Sequence, residues 1–127
     1  MAAVAPVIQQ VVTFLDDAHV LVWTPITTTN DYGTKIEMPG SADRSIQFTG
    51  TFGAAATIVL QGSNFESPVE TTDADWFTLT DPQGNAISKT AAGGEAVTEL
   101  TRWIRPKLAS GGDGSTAIGA RLLVKRK

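Results

Sequence analysis

Ala56-Thr57-Ile58-Val59-Leu60, read with Ser45-Ile46-Gln47-Phe48-Thr49 just before it, decides the fold class of this chain. The first run is apolar at nearly every position, as expected of a central strand buried on both faces. The second alternates, setting Ile46 and Phe48 on one face of a half-buried strand. Near the end of the chain, Ala120-Arg121-Leu122-Leu123-Val124-Lys125 repeats that logic, with Leu122 and Val124 opposite Arg121, Leu123 and Lys125. Outward from these runs, Gly, Asn, Asp and Pro clusters interrupt β-branched stretches about every ten residues. Strands are therefore expected at 19–24, 34–38, 45–50, 56–62, 75–80, 86–90, 97–108 with a bend at Pro106, and 117–125. About eight strands are enough for an all-β, single-domain antiparallel β-sandwich of residues 1–127. Its expected core is Ile46, Phe48, Ile58, Leu60, Trp76, Leu79, Trp103, Ile104 and Leu122. Gly84-Asn85, Gly93-Gly94 and Gly111-Gly112-Asp113-Gly114 have the residues of tight connections, the last reading as a hairpin turn.

The first 18 residues leave alternatives open. Ile8, Val11, Val12 and Leu15 fall at helical spacing, while Val7, Val11, Val12 and Thr13 favour extended chain. The segment is expected as an edge strand, a short helix over an open end, or an arm reaching another subunit. It lacks a basic n-region and is too short in apolar residues to span a membrane, so synthesis in the cytoplasm is the expectation.

Composition removes most catalytic chemistry. The 127 residues include no cysteine and one histidine, His19, which excludes disulfides, thiol nucleophiles and zinc-thiolate sites and leaves no His-based triad or cluster. Residues 65–75 gather Glu66, Glu70, Asp73 and Asp75, but without the alternating oxygens, central glycine and terminal glutamate of a calcium loop. The glycine cluster at 111–114 lacks the Lys-Ser/Thr pair of a phosphate loop. The chain is expected to be no enzyme, with no cofactor and no metal. The net charge of −3 conceals a division after Asp81: ten acids and two bases before it (−8), three acids and eight bases after it (+5). These halves can attract within one fold or between copies. The short terminal cluster in an acidic chain does not suggest nucleic acid.

Two motifs carry a resemblance. Ile58-Val59-Leu60-Gln61-Gly62-Ser63-Asn64, then after ten residues Asp75-Trp76-Phe77-Thr78-Leu79-Thr80-Asp81, resembles a pattern of galactose-binding-like, discoidin-type β-sandwiches. Thr101-Arg102-Trp103-Ile104-Arg105-Pro106 resembles their penultimate strand. Both patterns recur in small virion proteins of tailed bacteriophages that end in a Gly-Asp-Gly turn and an apolar strand, and the likeness spans about residues 46–126. It implies a jelly-roll or galactose-binding-like sandwich in which Gly62 to Asn64 turn, Trp76 fills the core, and Arg102 and Arg105 point away from Trp103 and Ile104. It further implies a capsid decoration, or cement, protein that binds the major capsid protein on the virion exterior and associates with itself as a dimer or trimer. The expected protein contacts are Val7, Ile8, Val11, Phe14, Tyr32, Phe65, Glu66 and Glu70, with the inserted 65–74 segment as a contact loop. The alternatives are a carbohydrate-binding module, using Phe65, Tyr32 or Trp23 as a sugar platform, or a tail or fibre component.

Overall fold

The computed structural model describes residues 3–4, 7–10, 18–37 and 43–125. Twelve strands occur among them: β1 (Ala3–Val4), β2 (Val7–Gln10), β3 (Ala18–Ile26), β4 (Tyr32–Gly33), β5 (Ile36–Glu37), β6 (Asp43–Thr51), β7 (Thr57–Ser63), β8 (Phe77–Thr78), β9 (Ser88–Lys89), β10 (Gly93–Ala96), β11 (Trp103–Ser110) and β12 (Ala117–Lys125). One sheet has the order β1-β4-β11-β7-β8, with β5 also on β11 and β9 also on β7; the other runs β10-β6-β12-β3-β2. Every pair is antiparallel except β1 with β4. The expected all-β sandwich is thus present, with more strands than eight because five of them are two-residue pieces.

Alternation explains the core. Ile46 and Phe48 of β6, Leu21 and Trp23 of β3, and Leu122 and Val124 of β12 meet Ile58 and Leu60 of β7 and Ile104 and Leu108 of β11 in one buried cluster. Val59 is buried on the opposite face of β7, so that strand is covered on both sides as its unbroken apolar run requires. Gly33 is there because Trp23 leaves no room: a Cβ at that position would lie 2.4 Å from the indole Cδ1.

Several expectations are corrected. Trp103 is half-buried on the outer face of the first sheet, and Trp76, buried as expected at 7% exposure, packs outside the central cluster, whose middle is filled by Trp23. The reason is parity: Ile104 and Leu79 take the core, so their neighbours in sequence at odd spacing face outward. Trp103 and Ile104 therefore cannot share a face, and Arg105 shares that of Trp103. Gly62 and Ser63 belong to β7, and the turn begins only at Asn64. Gly93-Gly94 lies in β10, paired with Phe48 and Gln47, not in a turn. Residues 97–101 form no strand, and β11 continues without a bend through Pro106. Leu108, two residues on, donates its N–H to Asp31 O at 2.7 Å, on the side where β4 and β5 lie. Pro106 has the same parity and falls between the pairings of β5 (Trp103, Ile104) and β4 (Lys107), so its missing N–H breaks no ladder. The 111–114 cluster connects β11 in one sheet to β12 in the other, so it is a crossover and not a hairpin.

Candidate interaction surface

Arg105 organises the outer face of the first sheet. It is fully buried, an unusual state for a cation, because a ring lies on each flank: Trp76 with its centroid 4.1 Å from the guanidinium carbon and Tyr32 at 5.1 Å. Its Nε donates to Gln61 Oε1 (3.0 Å) and Nη1 to Glu70 O (2.7 Å). Burial lowers its pKa, and the nearby Glu70, Tyr32, Asp73 and Asp31 oppose that shift. Arg105 Nη2 and Trp103 Nε1 are buried donors without a partner among the described residues.

The segment from Asn64 to Trp76 folds down onto this platform. Lys35 holds it from below, donating Nζ to Pro68 O (2.6 Å) and its backbone N–H to Glu70 Oε2 (3.1 Å). The same ammonium stands 5.3 Å from the centre of the Trp103 ring. Within the segment, Val69 N–H donates to Asp75 Oδ2 (2.8 Å), Trp76 Nε1 to Val69 O (3.1 Å) and Thr72 N–H to Val69 O (3.0 Å). The insertion is therefore an anchored loop, and the four carboxylates that made it conspicuous in the sequence are partly used in anchoring it.

Although so constrained, it presents Phe65 at 54% exposure, with Val69, Glu66 and Ser67 exposed beside it. Two further apolar side chains lie at the same end of the sheet. Phe77 stands opposite Gly62 in the β7–β8 pair. Leu100, 55% exposed, precedes Thr101, which accepts from the buried Arg44 at 2.8 Å through its carbonyl and 3.2 Å through its hydroxyl. Ser63 pairs with Trp103, and Asn64 Oδ1 accepts from Arg102 N–H at 3.0 Å, which brings the three apolar side chains to one end of the sandwich. At the opposite end, Asp113 closes the 52–56 and 111–116 loops together, accepting from Ala54 N–H (3.0 Å), Ser115 N–H (2.9 Å) and Ser115 Oγ (2.7 Å).

The expected contact residues separate accordingly. Phe65 and Glu66 are exposed at the apolar end; Tyr32 and Glu70 are brought together around Arg105 and are half-buried. Val7 and Ile8 lie in β2, in register with Val22 and Leu21, so this part of the N-terminal segment is the edge strand among the three alternatives. Val11 and Phe14 lie outside the described residues. Trp23 is fully buried and cannot serve as a sugar platform. The residue reading missed Phe77, Val69 and Leu100, for which the only signal was an apolar residue adjoining a turn. Two ion pairs join the acidic and basic halves within the fold, Asp31 with Lys107 (3.6 Å) and Glu37 with Arg102. Tyr32, Asp31, Glu70, Thr71, Asp73 and Lys107 also line a cleft of about 210 Å³. Among the described residues no three His, Cys, Asp or Glu side chains converge as metal ligands do.

No protein-family profile matches the sequence, and no curated protein matches it. Among solved structures the chain is similar to the K2 cleaved adhesin domain of Lys-gingipain, with a TM-score of 0.50 at 9% identity over 98% of this chain and 83% of that one. It also resembles the K3 cleaved adhesin domain of the same protein from Porphyromonas gingivalis W83, at a TM-score of 0.42 and 10% identity over 84% of this chain and 74% of that one. At such identity the first likeness is one of fold, and it agrees with the β-sandwich described above.

Proposed function

We propose that this chain is a non-enzymatic virion structural protein that docks on the outside of a phage capsid and bridges its subunits, associating with itself as it does so. The observation that carries the reading is the apolar end, where Phe65, on a loop already immobilised on its own sheet, is exposed together with Phe77 of β8 and Leu100. Exposed apolar groups on a rigid support lose little entropy on docking, which favours recognition of a fixed partner surface. The resemblance of its motifs to those of small phage virion proteins is the ground for taking the major capsid protein as that partner. Many copies on a lattice make weak contacts sufficient, because a second contact is made at high effective concentration. The test is co-sedimentation with particles lacking the protein. The full chain is expected to pellet with them and Phe65→Ser/Leu100→Ser to remain in the supernatant; a wild-type chain that pellets with no capsid leaves the reading without support.

A glycan is the second reading, favoured by the cleft that sets Tyr32 beside carboxylates, Thr71 and Lys107. Calorimetric titration that shows sugar binding abolished by Tyr32→Ala, and indifferent to the apolar end, would put this reading first.

A further inference from the structure

One edge of the second sheet, β10, has backbone groups that face away from its neighbour. Val97 N–H donates to Arg44 O at 3.0 Å, and this pair continues the register of Ala96 with Ser45. Opposed residues in an antiparallel ladder alternate between bonded and non-bonded pairs, so Glu95 with Ile46 and Gly93 with Phe48 are the bonded ones. The N–H and C=O groups of Gly94 and Ala96 consequently point away from β6, and no hydrogen bond reaches them among the described residues. Both residues are exposed. The strand contains no proline, no lysine, no bulge and no positive-φ residue, and its one charge, Glu95, lies on the face of Ile46 and is paired with Lys89. Gly94 and Ala96 also leave their outer flank low, at one margin of a groove of about 640 Å³ that continues past Ser45 and Gln47 to Arg121, Leu123 and Val20.

We infer that β10 pairs with β10 of a second copy, antiparallel about a two-fold axis at Glu95, joining two five-stranded sheets into one continuous sheet. The spacing is self-complementary. With Glu95 opposite its counterpart, Gly94 of one copy faces Ala96 of the other, and each such pair exchanges both backbone hydrogen bonds. The opposed Glu95 carboxylates do not meet as bare charges, because each already accepts from its own Lys89 Nζ at 2.5 Å, and the two ion pairs form an alternating group of four. A two-fold contact of this kind closes on itself. The strands alone bury less than the roughly 1,600 Å² of a stable interface, so the dimer is a weak one that a capsid lattice would reinforce. The inference deepens the self-association in the proposed function and is read without particles, so its failure leaves the co-sedimentation result standing.

The experiment is hydrogen exchange on the full chain from about 10 µM to about 1 mM, a span that covers weak dimers, with sedimentation at the same concentrations. The amides of Gly94 and Ala96 are expected to slow several-fold with concentration while those of the 111–116 turn do not change. Ala96→Pro removes one outward N–H without touching the ladder to β6 and is expected to stay monomeric with an unchanged near-ultraviolet circular dichroism spectrum. Should that variant not fold, the wild-type exchange rates decide by themselves. Rates independent of concentration, self-association that leaves these two amides unprotected, or protection appearing only on mixing with particles would each overturn the pairing, the last by assigning the edge to a strand of the capsid protein.

Discussion

Arg105 shows how one residue converts a sheet face into a platform. A buried guanidinium requires partners for its donors, and it finds them in Gln61 and the Glu70 carbonyl while two rings replace part of its hydration. Replacing Arg105 with Met should cost about 2–4 kcal/mol, because the Glu70 carbonyl loses its partner and the loop above loses its anchor. Urea titration measures the loss, and limited proteolysis should cut first between residues 64 and 76; a variant that keeps both stability and protease resistance would show the loop is held elsewhere. Trp23→Ala should cost about 3–5 kcal/mol as a large-to-small core change, and Trp103→Ala clearly less, since only the first ring is fully enclosed. Equal losses in the same titration would contradict the assignment of faces.

Two loop carboxylates, Asp113 at one end of the sandwich and Glu99 beside Leu100 towards the other, carry the pH dependence. Asp113 titrates below the ordinary range because Ser115 and Ala54 donate to its carboxylate. For Glu99, burial raises the pKa but the hydrogen bonds from Thr80 Oγ1 (2.5 Å) and Thr80 N–H (2.7 Å) outweigh it, so the net shift is downward. A depressed carboxyl pKa contributes stability that is fully present above the unfolded value, about 4, and is lost as pH falls through the folded value. The urea midpoint should therefore fall on acidification below about pH 4, and Asp113→Asn should flatten the fall. A profile as steep in Asp113→Asn as in the parent would assign the dependence to other groups. In the same turn, Gly111 has φ of 73° and a Cβ placed there would lie 1.9 Å from Ala55 O, so Gly111→Ala should destabilise by more than about 1 kcal/mol. A neutral effect in denaturant would mean that the crossover rearranges freely.

For the whole molecule, the ends and faces differ: one face is covered by the anchored loop, one end is closed around Asp113, one end is apolar, and the β10 edge has no further strand among the described residues. Phe65→Ser/Leu100→Ser should leave the unfolding midpoint nearly unchanged, since exposed positions contribute little to folding, while abolishing capture by particles; loss of folding along with binding would show that these side chains serve the core. Ion pairs at the surface contribute little, so raised salt should weaken capture only modestly if apolar groups dominate it. Period-two patterning in 45–49 and 120–125, with the unbroken apolar run at 56–60, was enough, by itself, to determine an all-β sandwich and most of its core, because burial on one face or both is written directly into which residues are apolar. The −8 and +5 division was equally visible, but its pairing inside one fold depended on which strands became neighbours. Only the tertiary structure decided that Trp76 is buried against Arg105 and Trp103 half-exposed while Trp23 fills the central cluster, that Gly93-Gly94 is strand, and that the 65–74 insertion is tied down by Arg105. Each of these turns on a contact between residues distant in the chain, and local pattern cannot specify which sheet, or which side of it, a short segment will finally meet.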